Sequence, residues 1–222
     1  CTLLFHLVTG GKVPIYLGSS FAFIAPIIKA TELYGLSGMF CGLVSVGIVY
    51  MLMGLLVKTF GIGFIKKLFP PIVIGPVIIL IGLSLASTGV NMAKANWILA
   101  LVSLAVAVAA SIWGKGIVKL IPVVFGAVAG YIVSLLFFRE SMDFSPVAQA
   151  SWFAIPKLSH MSFSWQAILF MAPVAIAPII EHVGDMYAIS SIAGKDFIKD
   201  PGLHRTLLGD GLSCCLAAFL GG

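Results

Sequence analysis

The sequence has 222 residues, of which 60% are hydrophobic and only 9% are charged. A soluble globular domain carries roughly 25% charged residues, so these few charges cannot cover a surface exposed to water. The net charge of +5 comes from basic residues scattered between apolar stretches, which argues against a nucleic-acid-binding face. The composition therefore predicts an all-α polytopic membrane protein and argues against a soluble fold.

Apolar stretches separated by short polar breaks predict several membrane-spanning helices, because a bilayer needs about 20 apolar residues for each span. The chain starts without a methionine and ends in glycines directly after an apolar run, so we expect a piece of a longer protein. The tail of one helix comes first, and the predicted spans then cover residues 14–31, 36–57, 70–88, 96–113, 117–138, 164–192 and 204–220.

Basic residues divide unevenly between the two ends of these predicted spans. Because cytoplasmic loops carry the excess of Lys and Arg, the richer side is predicted to be cytoplasmic and the loop near residues 139–162 to lie outside. The richer side holds Lys12, Lys58, Lys66, Lys67, Lys115, Lys119, Lys195, Lys199 and Arg205, and the poorer side holds Lys29, Lys94, Arg139 and Lys157.

Residues 13–26 do not have the pattern of an ordinary lipid-facing helix. Pro14 and Pro26 stand near the two ends of this segment, and Gly18-Ser-Ser lies in its middle. One interpretation is partly extended backbone inside a span, which membranes tolerate only where protein buries it or where it lines a polar cavity. The other is a short helix with two kinks.

Residues 171–185 contain the only carboxylate deep in an apolar run. Two prolines weaken this span just before Glu181, and a charged group at membrane depth costs several kcal/mol and is by default a functional candidate. Asp185 follows four residues later on the same helical face, and His182 points about 100° away. The structural alternative for Glu181 is an interhelical hydrogen bond or ion pair.

The remaining acidic residues and the cysteines give weaker signals. The four cysteines lack the spacing of a zinc site or of a disulfide framework, and no nucleophile stands beside a base, so an enzyme is not indicated. Solvation or capping accounts for the other acids, which fall at predicted span ends or in loops: Glu32, Glu140, Asp143, Asp196, Asp200 and Asp210. We expect Asp200, before Pro201, to cap the last span.

Five motifs spread over the whole chain carry a resemblance to a known family. They occupy residues 11–26, 69–76 with 81–83, 152–156, 181–185 (Glu-His-Val-Gly-Asp) and 200–212. In this order they resemble the nucleobase/ascorbate transporter family and, within it, the uracil permease branch.

This resemblance implies a fold of fourteen spans in two inverted repeats, with a short β-strand that interrupts the third span. The chain would cover the end of the second span to the ninth. Residues 1–65, including a half-helix and strand at 14–31, would belong to a core domain together with 164–222. Residues 66–140 would form gate-domain helices, and 141–163 an extracellular loop.

The resemblance also implies roles for individual residues. Phe21 matches the residue whose backbone amide meets the nucleobase, and Glu181 matches the glutamate that hydrogen-bonds the edge of its ring. His182 and Asp185 join Glu181 as candidates for proton coupling, although Asp185 stands where some uracil permeases have a histidine. The supporting positions are Ser20, Ala22 and Tyr16. A second site carboxylate is expected beyond Gly222.

The expected function is proton-coupled uracil import by alternating access, through a multi-pass protein of the plasma membrane. Protons would be the coupling ions, and no metal or other cofactor is expected. The expected partners are uracil and the lipid bilayer, without nucleic acid, and a homodimer is left open. The alternatives are a xanthine or urate permease of the same family and an anion transporter of the same broader fold, although an anion site would favour a basic or neutral residue at Glu181.

Overall fold

The computed structural model describes residues 1–139, 142–151 and 161–221. The regular secondary structure in these ranges is helical, without a β-strand. The α-helices are α1 (Thr2–Thr9), α2 (Ile24–Phe60), α3 (Ile62–Leu68), α4 (Pro71–Ser84), α5 (Ala86–Ala93), α6 (Trp97–Trp113), α7 (Ile117–Leu120), α8 (Pro122–Phe137), α9 (Ser145–Gln149), α10 (Trp165–Met171), α11 (Ile176–Ala193) and α12 (Leu203–Phe219).

Three helical stretches of the described residues are long and apolar enough to cross a membrane. They are Phe21–Phe60, Ile72–Ala93 and Trp165–Ala193, and the shorter helices α6 and α8 are also apolar. The prediction of an all-helical polytopic chain is therefore confirmed. The fourteen-span layout stays a prediction, as does the division into core and gate domains.

The longest helix, α2, contains a break at the position where the sequence predicts a loop between two spans. Gly35 has φ 68° and ψ 174°, which is not helical and lies in a region that favours glycine. The backbone changes direction there and then continues as helix to Phe60. Two helices therefore meet at Gly35, which lies between the predicted spans 14–31 and 36–57.

The segment before α2 settles the choice left open by its sequence. Residues 14–20 belong to no helix, and a short 3-10 helix, Phe21–Phe23, leads into α2. The Thr2 hydroxyl lies 3.2 Å from both the backbone N and the carbonyl O of Leu17, so α1 helps to hold this non-helical stretch. The interpretation as a kinked helix is wrong for these residues, and the predicted β-strand stays a prediction.

The chain divides into two compact units. The larger comprises Cys1–Leu83 and Ile155–Gly222. In it α12 packs chiefly against α2 and then against α1, and α10 packs against α2. Gly47 and Gly211 allow the close approach of α2 and α12, because a Cβ added at Gly47 would lie 2.7 Å from the carbonyl O of Gly211. Small residues at such a crossing are typical of helix packing in membranes.

The smaller unit comprises Ser84–Ala154, and its main packing joins α6 to α8. Gly126 and Gly130 of α8 face Ser103 of α6, and a Cβ at Gly126 would lie 2.5 Å from the Ser103 carbonyl O. Part of the predicted extracellular loop, including the motif at 152–156, lies outside the described residues.

Candidate functional site

A cavity of about 820 Å³ lies inside the larger unit. The non-helical stretch and the 3-10 helix before α2 form one part of its wall, and residues of α2, α11 and α12 form most of the rest. Its polar and aromatic lining residues include Tyr16, Ser19, Ser20, Phe21, Tyr50, Glu181, His182, Asp185, Asp210 and Ser213. The cavity therefore brings together every predicted site residue except Ala22.

Ser20 connects the two segments that carry the predicted binding residues. Its backbone is extended, with φ −72° and ψ 131°, and its Oγ accepts a hydrogen bond from the Ala22 N–H at 3.3 Å. This is the geometry of a helix N-cap. The same hydroxyl donates to Oε2 of Glu181 at 2.7 Å. Ser20 thus fixes both the start of the 3-10 helix and the orientation of the glutamate.

Glu181 lies at the cavity wall and is partly exposed. The span that carries it begins as α10, passes through a 3-10 turn at Ala172–Ala175, and continues as α11. The prolines predicted to weaken this span lie in that turn and at the start of α11. Among the described residues, Oε1 of Glu181 accepts no hydrogen bond, so the carboxylate retains acceptor capacity at the cavity.

Phe21 and Tyr16 border the same cavity with exposed side chains, 66% and 83% exposed respectively. Within the described residues, the Phe21 backbone N–H donates no hydrogen bond. The Ala22 N–H is used by Ser20. The site therefore offers an unused N–H donor at Phe21 and an acceptor at Glu181.

His182 is buried, with 6% of its surface exposed, and it contacts α12 rather than Asp185. Its Nδ1 lies 3.0 Å from Oδ2 of Asp210, and its Nε2 lies 3.0 Å from Oγ1 of Thr206. The ring of Tyr50 meets the imidazole edge-on, with centroids 6.3 Å apart. His182 is thus held from α2 and from α12 at the same time.

One of the acidic residues lies in a different place from what the sequence suggested, and the role of another stays a prediction. Asp210 was expected at a span end, but it lies in the middle of α12 and is the partner of His182. Asp185 is exposed at the cavity and makes no hydrogen bond to His182. Asp185 stays a predicted proton-coupling residue. Thr206 and Asp210, four residues apart, lie on one face of α12, and both contact His182.

The loop before α12 corrects a further expectation. The N-cap of α12 is Gly202, with φ 97°, and Asp200 forms no cap. The Asp200 carboxylate instead accepts a hydrogen bond from Nζ of Lys12 at 2.5 Å, with both side chains largely exposed. This ion pair connects the segment after α1 to the segment before α12.

Comparison with known proteins shows the family of the chain. The family model Xan_ur_permease, described as "Permease family", matches residues 1–222. The chain belongs to this family. It is 47% identical to the "Probable uracil permease" of Pasteurella multocida over 100% of the chain and 55% of that relative. It is 41% identical to the "Uracil permease" of Bacillus caldolyticus, over 100% of the chain and 54% of that relative. It is 37% identical to the "Uracil permease" of Escherichia coli K12, over 99% of the chain and 53% of that relative.

The chain thus spans about half the length of the curated relatives it matches. A further relative, 34% identical, is the "Putative pyrimidine permease RutG" of Escherichia coli K12. The resemblance drawn from the five motifs is confirmed by these matches. The family is one of membrane permeases and not of enzymes.

Proposed function

We propose that the protein to which this chain belongs is a uracil permease that imports its substrate together with protons by alternating access. The names of the relatives support uracil as the substrate, because every one of the three reported above at 37–47% identity is called a uracil permease or probable uracil permease. Protons are the coupling ions in this proposal, and no other cofactor is needed.

One observation carries the proposal: the carboxylate of Glu181, held by Ser20 at 2.7 Å, borders the same cavity as Phe21, whose backbone N–H has no partner among the described residues. Uracil presents alternating carbonyl acceptors and N–H donors along its ring edge. A backbone N–H can serve a carbonyl of the ring, and a carboxylate can accept from a ring N–H. The exposed side chains of Phe21 and Tyr16 add aromatic surface for a flat ring.

The acidic groups at the cavity support the proposal of proton coupling. Glu181 and Asp185 lie four residues apart on α11, and His182 stands between them in sequence. A carboxylate at a cavity that opens alternately to the two sides of a membrane can take up a proton on one side and release it on the other. We assign this role first to Glu181, because it would also contact the substrate.

We place the protein in the plasma membrane, because its relatives are bacterial permeases and its helices are apolar. A homodimer is compatible with this proposal and plays no part in the binding argument.

Uptake of radiolabelled uracil tests the proposal. The gene for the full-length parent protein is expressed in a permease-deficient bacterium as wild type, as Glu181→Gln and as Glu32→Gln, with and without a protonophore. Glu32 is the matched control because it is an exposed carboxylate paired with Lys29, away from the cavity. We expect uptake by wild type and Glu32→Gln that the protonophore abolishes, and none by Glu181→Gln.

Each departure from this pattern has a definite meaning. Xanthine uptake without uracil uptake would show that the substrate is a purine. Uracil uptake that resists the protonophore would remove proton coupling from the proposal. Uptake by Glu181→Gln equal to that of wild type would make Glu181 a structural residue.

A further inference from the structure

Two neighbouring side chains of α11 point to different parts of the site. Glu181 meets Ser20 at the cavity wall, whereas His182 turns to α12 and is buried. Successive residues of a helix point about 100° apart, so one of them can face a ligand while the next anchors the helix. The position of Glu181 then depends on the contacts that hold His182.

Both ring nitrogens of His182 are engaged. Nδ1–H donates to Oδ2 of Asp210 at 3.0 Å, and Nε2 lies 3.0 Å from the Thr206 hydroxyl. That hydroxyl also lies 3.0 Å from the carbonyl O of Leu203. It can donate to Nε2 of a neutral ring, or accept from a protonated ring and donate to Leu203. Either way, His182 has no polar atom left for a substrate or for Asp185.

The helix α12, which carries the partners of His182, is itself well packed. α12 packs chiefly against α2 and α1, and Thr206 is fully buried. Asp210 is less enclosed, since 26% of its side chain is exposed and it borders the cavity. A carboxylate that accepts from one ring nitrogen fixes both the tautomer and the orientation of a histidine. With both of its nitrogens bonded in this way, the buried His182 ring is held in one orientation.

We propose that Asp210 is a positioning residue for substrate binding: through His182 it holds α11 against α12 and so sets the position of the Glu181 carboxylate in the cavity. The effect on the substrate rests on the proposed function, whereas the contact between Asp210 and His182 does not. Asp210 acts through His182 and not by touching the substrate.

A double-mutant cycle on the purified full-length parent protein tests this route. The dissociation constant of uracil is measured for wild type, Asp210→Ala, His182→Ala and the double variant, with Glu32→Gln as a control outside the cavity. We expect each single change to weaken binding about tenfold or more, and the double variant to match the weaker single variant within about threefold, because residues that act as a unit are not additive.

Two results of the cycle would overturn the proposal. Additive losses would mean that Asp210 and His182 act separately, as they would if Asp210 touched uracil. Unchanged binding in Asp210→Ala would remove Asp210 from the site altogether. Asp210→Asn guards against simple loss of folding, because its amide oxygen can still accept from Nδ1–H. It should bind uracil within about threefold of wild type, since the hydrogen-bond geometry is kept.

A measurement without substrate separates this inference from the proposed function. The protein is labelled with ¹⁵N-histidine, and the His182 signals are identified by their absence in His182→Ala. We expect a hydrogen-bonded proton on Nδ1 in wild type and in Asp210→Asn, and its loss in Asp210→Ala. A bare Nδ1 in wild type would overturn the inference. If wild type binds no uracil, the proposed function fails, and the NMR result alone then supports or overturns the pairing.

Discussion

Replacement of Ser20 by alanine should weaken uracil binding while the protein still folds. The Ser20 hydroxyl donates to Glu181 at 2.7 Å and accepts from the Ala22 N–H at 3.3 Å. Without it, the carboxylate loses its only hydrogen-bond donor among the described residues and can adopt other rotamers. The preorganised acceptor for the ring N–H of uracil is then lost.

The size of this effect follows from the kind of bond that is removed. Hydrogen bonds to charged groups contribute about 1.5–3 kcal/mol. Because Glu181 and Ser20 are only partly buried, we take the lower end, about 1.5 kcal/mol, which corresponds to a roughly tenfold change in affinity. The lost cap at the start of the 3-10 helix should cost a further ~1 kcal/mol of folding stability.

Calorimetric titration of uracil into the purified full-length parent protein measures this loss. Thr59→Ala is the matched control, because it removes a hydroxyl that bonds only within its own helix and lies away from the cavity. We expect about tenfold weaker binding for Ser20→Ala and wild-type binding for Thr59→Ala. A dissociation constant for Ser20→Ala equal to that of wild type would show that Ser20 does not orient the glutamate.

Further predictions concern packing and surface charge. Gly47→Ala should destabilise the larger unit by roughly 1–3 kcal/mol, because the new Cβ would meet the backbone of Gly211. Gly63→Ala is the control: a Cβ there has open space, so the melting temperature should be unchanged or slightly higher. Thermal unfolding in detergent compares the two, and equal melting temperatures would contradict the packing. Asp200→Asn should lower the free energy of unfolding by less than about 1 kcal/mol, because its partner Lys12 is also exposed. A larger loss of stability in the same assay would give this ion pair a structural role.

Glu181 could be found from sequence because a single carboxylate in an apolar run is costly and therefore conspicuous. For the non-helical segment that contains Ser20, Pro14 and Gly18 disfavour a regular helix, but its local pattern left extended backbone and a kinked helix as alternatives. In both cases the signal lies within one local stretch of residues.

The pairing of His182 with Asp210 could not be predicted from a local stretch of the sequence. It depends on how α12 is rotated against α11, and that rotation is set by packing of α12 on α2 and α1. Asp200 shows the same limit. Its position before a proline suggested a cap, but its carboxylate is taken by Lys12, which stands 188 residues away in the chain. Local patterns do not encode such distant contacts.

A structure of the full-length parent protein with uracil bound would test the central claim most directly. The account predicts that the uracil ring lies in the cavity, with a ring N–H within hydrogen-bond distance of the Glu181 carboxylate and a carbonyl next to the backbone N–H of Phe21. Uracil bound elsewhere, with the contact between Ser20 and Glu181 unchanged and the cavity empty, would contradict it.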